Sequence, residues 1–324
     1  MALPTRVETL DDFYTSTFNN RSSAVQDQIF KATPLARWLK GKNRIKFDGS
    51  GGRFLEVPLS FAKNDTITSL AKGDTISLND TKFLTTAQYE WKYVAGNITR
   101  FFTDDQQNKG KQSVINLANA KIDNLRDSLA DKLEEYFFGD GTGNGAKDPN
   151  GLATFISTTP AVGTVGNIDA ATNAFWRNIS NASTGAASVT LLSDMRTTFN
   201  DASTGQNSNT PRVLFTDQAT YELYEDEVTE LKVINDTMAG DPMLSSVTFK
   251  GRPMFWSDRA LPGGAIYFLN DEYLTLLIDP EVNFMMTEWK TVANQLDRFA
   301  QIVIKMQLVC NRRASQAILT GVAA

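Results

Sequence analysis

The chain has 324 residues, of which 41% are hydrophobic and 21% are charged, so it is long enough to fold into two lobes with substantial cores. Its net charge of -5 at pH 7 argues against a dedicated nucleic-acid-binding protein. The single cysteine excludes an intrachain disulfide, and no apolar run approaches the roughly 20 residues of a membrane-spanning helix. We therefore expect a soluble protein with no membrane partner.

The first 47 residues are predicted to form an N-terminal arm, because they are polar and weakly patterned up to the short amphipathic segment that follows Pro34. Basic residues cluster in and after this segment and include Arg37, Lys40 and Arg44. Such a cluster can contact phosphate groups, but a solvated arm that lies on an acidic neighbouring surface is the simpler interpretation. We take Arg37, Lys40 and Arg44 as candidate assembly-interface residues.

Residues 48–102 are predicted to form a long β-hairpin. Two stretches, FLEVPLSF from Phe54 and YEWKYVAGNITRFF from Tyr89, alternate in polarity and are rich in β-branched and aromatic residues. The stretch between them is polar, and its Lys72-Gly73-Asp74 sequence is typical of a turn. A two-stranded hairpin alone is marginally stable in water, so we expect this one to lie on another chain. It carries three lysines that we take as further candidate interface residues: Lys63, Lys72 and Lys82.

A long amphipathic helix is predicted for residues 104–138 and is expected to be the spine of the molecule. Apolar residues recur along it every three or four positions: Val114, Ala118, Ile122, Leu125, Leu129, Leu133 and Phe137. Gly139 suits the left-handed cap that commonly ends a helix. We expect the three leucines of this stripe to be buried against the later strands, with Phe284 and residues 302–306 as their neighbours.

The glycine-rich loop after this helix, GDGTGNGAKDPNGL, partly matches three ligand-binding motifs. As a calcium loop it has Gly151 where the bidentate glutamate belongs. As a dinucleotide fingerprint it follows a helix instead of a strand, and as a phosphate-binding Walker loop it fails because Asp148 follows Lys147. We interpret the loop as a flexible exit from the helix, and we predict no cofactor and no metal site.

Residues 150–275 are predicted to form a second, mixed α/β lobe. Its expected elements are a helix over 188–200, a strand over 212–216, a helix over 217–231, and then three strands separated by a tight turn and a loop over 247–271. From Tyr273 the chain returns to long strands, over 273–278, 282–289 and 296–310. We expect these late strands to pack beside the spine helix.

The sequence offers no catalytic constellation. Histidine is absent, which removes the commonest general base and metal ligand. Cys310 lies in an apolar segment without a nearby base, so we interpret it as an inert core residue. The densest group of carboxylates lies on one predicted helix and is interpreted as a solvated acidic face: Glu222, Glu225, Asp226, Glu227 and Glu230. We therefore expect that the protein is not an enzyme and has no catalytic residues.

The order of these features resembles the major capsid proteins of tailed double-stranded DNA bacteriophages, with the Hong Kong 97-type fold. A basic arm, a long hairpin and a spine helix ending in LADKLEEYFFGDGTG precede the string KGRPMFWSDRALPGGAIYFLND, in that order. The helix-to-FGDGTG junction followed by DPNGL, and the G-R-P…SD…LP-G-G-A string, are the most specific parts of the match. The resemblance covers most of the chain.

The resemblance implies an α+β fold in four parts: an N-terminal arm of residues 1–47, an E-loop hairpin of residues 48–102, a peripheral (P) domain of residues 103–149 and 273–324, and an axial (A) domain of residues 150–272. It implies a major capsid protein that self-assembles as pentamers and hexamers into the icosahedral shell of the virion, around the packaged double-stranded DNA. Assembly would take place in the host cell cytoplasm with a separate scaffolding protein, a portal and a decoration protein as partners.

Two alternatives to the capsid shell remain open. An encapsulin-like compartment shell shares the fold, whereas a carboxylate-dependent enzyme is disfavoured by the absent histidine. Some members of the capsid family also crosslink an E-loop lysine covalently to an asparagine. No motif in this hairpin selects one lysine, so we expect no crosslink.

Overall fold

The computed structural model describes residues 34–49, 51–76, 78–103, 117–205, 209–231, 247–257, 263–287, 290–291 and 297–323. The first 33 residues of the predicted arm and residues 104–116 of the predicted spine helix lie outside this described part of the chain.

The secondary structure of the described residues alternates between strands and helices. The strands are β1 (Ile45–Phe47), β2 (Phe54–Ser60), β3 (Leu84–Glu90), β4 (Lys92–Arg100), β5 (Thr164–Val165), β6 (Ile168–Asp169), β7 (Ile179–Ala182), β8 (Val213–Thr216), β9 (Thr248–Phe249), β10 (Arg252–Trp256), β11 (Ile266–Leu269), β12 (Leu274–Ile278), β13 (Met285–Met286), β14 (Lys290–Thr291), β15 (Arg298–Cys310) and β16 (Ala317–Thr320). The helices are α1 (Pro34–Gly41), α2 (Leu117–Phe138), α3 (Gly143–Ala146), α4 (Leu152–Phe155), α5 (Ala187–Asp201) and α6 (Gln218–Leu231).

A first six-stranded sheet is built around β15, which has 13 residues. β15 pairs antiparallel with β4, β12, β13 and β14, and β1 adds to β12 in parallel. Every residue of β15 from Lys305 to Cys310 is buried, so this end of the strand is covered on both faces. The predicted apolar segment over 296–310 is therefore the central strand of the first lobe.

The spine helix α2 packs on β4 through its leucine stripe. Leu129 and Leu133 are buried and Leu125 is half-buried, in one apolar cluster with Ile302 and neighbouring residues of β15. The expected burial is thus confirmed for Leu129 and Leu133, and Leu125 is covered only in part. A Cβ atom added at Gly96 of β4 would lie 2.5 Å from Leu125 Cδ1, so the close approach of helix and strand depends on this glycine.

The prediction that Phe284 packs against that leucine stripe is wrong. Phe284 is 42% exposed and is absent from the described apolar clusters. The reason is local: Phe284 has a φ of +49°, in the left-handed region, just before the short strand β13. The chain turns there, and the side chain lies outside the sheet.

The hairpin pairs β2 with β3 over seven residues, from Phe54 opposite Glu90 to Ser60 opposite Leu84. We expected its second strand over 89–102, but the structure divides that stretch at the buried Trp91. The part before Trp91 completes the hairpin, whereas the part after it is β4 of the first sheet. Alternating polarity identifies a strand but not its partner, which explains the difference.

A second sheet has the order β7-β16-β11-β8-β10-β9, with α5 and α6 beside it. The predicted helices over 188–200 and 217–231 and the predicted strand over 212–216 are confirmed as α5, α6 and β8. An apolar cluster joins these helices to the sheet: Leu191, Met195, Leu214, Tyr224, Met254, Phe268 and Leu319. β16 pairs with β11, so the last strand of the chain lies in this sheet, whereas residues 273–324 were all expected beside the spine.

Besides the long connection from β4 to β7, the chain passes between the two sheets at two short passages, residues 270–273 and 311–316. Arg313 is fully buried in the second passage. Its Nε donates to the carbonyl oxygen of Phe155 at 2.7 Å, and its Nη2 donates to Asn178 Oδ1 at 3.3 Å. One side chain therefore ties the end of α4 and the start of β7 to the second passage.

Candidate assembly surfaces

The loop between β2 and β3 carries large apolar side chains that face solvent. Leu78 is 96% exposed and Ile67 is 83% exposed. The other members of this set are also exposed: Leu70, Ile76 and Phe83 in the loop and Leu84 at the first position of β3. Single exposed apolar residues are ordinary, but a group concentrated on one loop marks an interaction surface. We call this group the apolar loop surface.

Short-range hydrogen bonds shape this loop. The backbone N–H of Thr66 and its hydroxyl both donate to Asn64 Oδ1, at 2.9 and 2.7 Å. The backbone N–H of Ala71 donates to Asp74 Oδ2 at 2.6 Å, and Gly73 between them has a φ of +97°. The predicted turn at Lys72-Gly73-Asp74 is confirmed. Local polar bonds thus shape the loop while its apolar side chains remain uncovered.

The three predicted hairpin lysines, Lys63, Lys72 and Lys82, lie on this same loop and are exposed. Within the described part of the chain, no carboxylate lies within 4.0 Å of any of them. The structure therefore brings them together with the apolar loop surface. Their role in assembly stays a prediction.

The three predicted residues near the arm lie elsewhere. Arg37 and Lys40 are on α1, whose N-terminus is held on the spine because the backbone N–H of Leu35 donates to the buried carboxylate of Glu134 at 3.3 Å. Lys40 is exposed and Arg37 is half-buried. These two side chains form a set that is distinct from the hairpin lysines.

Arg44 has a partner within its own chain. Its Nε lies 3.5 Å from Oδ2 of Asp271, a buried residue in the first passage between the sheets. Arg212 Nε lies 4.0 Å from the other oxygen of Asp271, and Arg212 also pairs with Glu272 at 2.5 Å. Arg44 thus connects the chain just before β1 to the passage between the sheets, which is a structural role that sequence reasoning missed.

The apolar loop surface was also missed from the sequence. The stretch between the two predicted strands was interpreted as polar because Asn, Asp, Thr and Lys dominate it. The signal was present in the spacing of Ile67, Leu70, Ile76 and Leu78, which recur through an otherwise polar segment. Sequence spacing alone does not show whether such residues are buried within their own chain.

Cys310 lacks the environment of a nucleophile. It is fully buried, and burial raises the pKa of its thiol to about 12. A thiol with that pKa stays protonated near neutral pH, and the thiolate is the reactive form. The hydroxyl of Tyr89 donates to the carbonyl oxygen of Cys310 at 2.8 Å, which joins the hairpin to β15.

Close packing against the end of the spine helix explains why the loop after it has a glycine at position 151. A Cβ atom at Gly151 would collide with the carbonyl oxygens of Tyr136 and Gly139 at the end of α2. Asp140 accepts hydrogen bonds from the backbone N–H and the hydroxyl of Thr142, and these bonds lower the pKa of its carboxyl group. We expected a flexible exit from the helix. The structure instead shows a loop with hydrogen bonds between its own residues and a close contact with the end of the spine helix α2.

No clustered metal ligands occur among the described residues, in the sense of three or more Asp, Glu, His or Cys side chains around one point. None of the described helices is both long enough and apolar enough to cross a bilayer. On α6, Glu222 and Asp226 are exposed, as expected for a solvated acidic face, whereas Glu225 and Glu227 are half-buried and the side chain of Glu230 lies outside the described part.

No protein-family model matches the chain, and no curated protein matches it in sequence. Solved structures do match. The capsid asymmetric unit of cyanophage A-1(L) is similar with a TM-score of 0.65 and 16% sequence identity, over 90% of this chain and 93% of that chain. The capsid of Myoviridae phage XM1 is similar with a TM-score of 0.56 and 10% identity, over 88% and 92%.

The chain has the Hong Kong 97-type fold. The holo-SrpI encapsulin complex from Synechococcus elongatus PCC 7942 is similar as well, with a TM-score of 0.58 and 12% identity, over 98% of this chain and 97% of that chain. The expected α+β class is confirmed. In the vocabulary of the Hong Kong 97-type fold, the predicted P domain contains four strands of the first sheet, β12 to β15, while β1 lies in the predicted arm and β4 in the predicted hairpin. The predicted A domain contains most of the second sheet, and the domain boundaries themselves stay predictions.

Proposed function

We propose that this chain is the major capsid protein of a tailed double-stranded DNA bacteriophage. It self-assembles as pentamers and hexamers into an icosahedral shell that encloses the phage genome. The shared fold of two phage capsids supports this function, and the observation that carries it is the apolar loop surface. The protein would act through assembly and not through turnover.

Exposure of the apolar loop surface to water costs free energy that contact with another chain would recover. Complete burial of one leucine or isoleucine side chain contributes about 1.5–3 kcal/mol. The apolar loop surface has six large apolar side chains, five of them leucine or isoleucine and one phenylalanine, that are exposed in the single chain. In a homo-oligomer, a second copy of the chain covers these side chains. The hairpin then forms part of the interface between subunits.

The symmetry of the contact determines the kind of assembly. A hairpin that lies on a different surface of the next copy forms a head-to-tail contact, and such contacts form a ring when the rotation between successive copies closes on itself. Five- and six-membered rings are the building units of a closed icosahedral shell. Arg37 and Lys40 on α1, and the hairpin lysines, are placed to adjust these contacts.

The remaining partners belong to the same proposal. The packaged DNA would be held without sequence specificity, and the net charge of -5 limits adhesion of DNA to the shell wall. A separate scaffolding protein, a portal and a decoration protein would complete a virion assembled in the host cytoplasm. We also propose that the chain is not an enzyme, which the absence of histidine and the buried Cys310 support.

The second candidate function is an encapsulin-like compartment shell, because the encapsulin neighbour matches nearly the whole chain. The content of purified shells distinguishes the two. A phage capsid purified from infected cells contains nuclease-protected double-stranded DNA, whereas a compartment shell contains a cargo protein. Absorbance spectra, nuclease protection and mass spectrometry of the same preparation measure both contents.

The proposed function is tested by assembly of Leu78→Asp. The wild-type chain at micromolar concentration is expected to form rings or shells, measured by light scattering and negative-stain electron microscopy. The variant places a charge in the centre of the apolar loop surface and is expected to remain a smaller species. Val189→Asp is the matched control, because Val189 is 81% exposed on α5, outside the hairpin.

Two results would contradict this proposal. One is a wild-type chain that stays monomeric at every salt concentration and also with a coexpressed scaffolding protein. The other is a Leu78→Asp variant that assembles as completely as the wild type.

A further inference from the structure

A cationic cavity lies in the second lobe, away from the hairpin. It has a volume of about 530 Å³ and opens between the end of α5 and the turn that joins β9 to β10. Its lining includes Phe199, Asn200, Ser203, Thr210, Lys250 and Arg252. A volume of this size is within the range of about 300–1,000 Å³ that is typical of small-molecule sites.

In the described part of the chain, each of the two cations of the cavity donates a hydrogen bond to a neutral side chain. Lys250 Nζ donates to Asn200 Oδ1 at 2.7 Å, and Arg252 Nη2 donates to Thr210 Oγ1 at 3.2 Å. Among the described residues, no carboxylate lies within 4.0 Å of either side chain. Each side chain therefore has further N–H donors beyond this one hydrogen bond.

Further positive charge lies close by. Burial and the charge of Arg196 on α5 lower the pKa of Lys250, so the two cations repel each other across this edge of the lobe. Arg312 donates to the hydroxyl of Thr204 at 3.2 Å, next to the lining residue Ser203. The site thus concentrates like charges, and a bound anion would relieve their repulsion.

The ammonium group of Lys250 makes cation–π contacts with two phenylalanine rings. Its Nζ is 4.6 Å from the centre of the Phe199 ring and 5.8 Å from that of Phe249. These contacts and the bond to Asn200 define the position of the ammonium group at the cavity wall. Three contacts with its own chain therefore position the ammonium group of Lys250 at the cavity wall.

We propose that this cavity binds a phosphate-class oxyanion through Lys250 and Arg252, with the hydroxyl of Thr210 as an additional donor. The planar guanidinium group suits two oxygens of one phosphate, and the ammonium group acts as a point charge on a second phosphate. The ligand is either a free polyphosphate or the phosphodiester backbone of a nucleic acid strand. This site does not depend on the proposed capsid function.

The test is isothermal titration calorimetry of the full-length chain with pyrophosphate at low ionic strength. The wild type is expected to bind with one site per chain. Lys250→Gln and Arg252→Gln are each expected to weaken binding at least about tenfold, because each removes one charge-assisted contact. Arg252→Lys, which keeps the charge, is expected to lose less affinity. Lys147→Gln removes an equal charge from the glycine-rich loop and is expected to bind as the wild type does.

A second arm replaces pyrophosphate with a short single-stranded oligodeoxynucleotide. If it binds with the same dependence on Lys250 and Arg252, the phosphodiester backbone is the source of the ligand. If only pyrophosphate binds, a free polyphosphate is the source. The proposal is overturned if the wild type shows no saturable binding of either probe up to millimolar concentration. It is also overturned if both Gln variants, with unchanged thermal midpoints, bind as tightly as the wild type.

Discussion

Asp279 and Lys305 form a buried ion pair in the first sheet. Lys305 Nζ lies 2.6 Å from Asp279 Oδ2, and the Trp91 ring is 4.8 Å from the same ammonium group. The hydrogen bond from Lys305 lowers the pKa of Asp279, and the same bond raises the pKa of Lys305. Removing one partner would leave the other charge buried and unpaired, so the pair contributes to stability only as a unit.

The pair predicts a pH-dependent effect of Asp279→Asn. Because the pKa of Asp279 is lower in the folded chain, its stabilisation is present above the unfolded value of about 3.9 and is lost as pH falls through the folded value. At pH 7 the variant is expected to unfold more easily by about 1.5–3 kcal/mol. Urea denaturation at pH 7 and pH 3 measures this difference, which should shrink at pH 3.

Asp127→Asn is the control for this experiment. Asp127 is exposed on the spine helix, and its substitution is expected to change stability by no more than about 0.5 kcal/mol at either pH. An Asp279→Asn effect of equal size at pH 7 and pH 3 would show that the carboxylate charge does not carry the stabilisation.

At the scale of elements, the contact of α2 with β4 holds the first lobe together. Leu129→Ala is expected to cost about 2–5 kcal/mol, because it removes a buried side chain from the cluster that joins the helix to β15. Asp127→Ala, two positions away on the solvent side, should cost no more than about 0.5 kcal/mol. Denaturant midpoints of unassembled chains measure both values, since a neighbouring subunit would obscure the comparison. Equal midpoints would mean that the helix does not pack through this stripe.

The stability of the hairpin as an element differs from that of β15. In the described part of the chain, β2 and β3 form a two-stranded sheet with one further backbone bond, from Gln88 N–H to the carbonyl oxygen of Gly166. The loop beyond them is shaped by short-range bonds. β15 is instead paired along its length with β4 on one edge and with β12, β13 and β14 on the other. Elements with few buried contacts open at low free-energy cost, whereas central strands open only near global unfolding.

At the scale of the whole molecule, this contrast predicts the effect of assembly on hydrogen exchange. Amides of residues 61–83 are expected to exchange rapidly in the unassembled chain and to gain protection in the assembled form. Amides of β15 are expected to be protected in both states. Mass-spectrometric hydrogen exchange on the two separated species makes the comparison. Full protection of 61–83 before assembly would mean that this loop is covered by its own chain.

The two lobes are joined by polar residues at both passages between the sheets. Arg44 and Arg212 surround the buried Asp271 in the first passage, and Arg313 binds backbone and side-chain oxygens in the second. Directional polar bonds at these points define how the chain crosses from one sheet to the other. Polar bonds therefore hold the two short passages between the sheets in place.

The sequence by itself determined the local elements. Helices α2, α5 and α6, strands β8 and β15, and the turn at residues 72–74 follow from periodicity, glycine placement and turn chemistry, which act over a few neighbouring residues. The absence of histidine and the apolar surroundings of Cys310 were equally visible in the sequence. The order of these elements also indicated the fold.

Only the tertiary structure decided which elements pair and which side chains stay uncovered. It assigned β4 to the first sheet and β16 to the second, gave Arg44 a buried partner, and placed Phe284 in solvent. It also showed that Ile67 and Leu78 have no cover within their chain, among the described residues. These properties depend on contacts between residues far apart in sequence, so the same alternating pattern is compatible with several partners until the whole chain has packed.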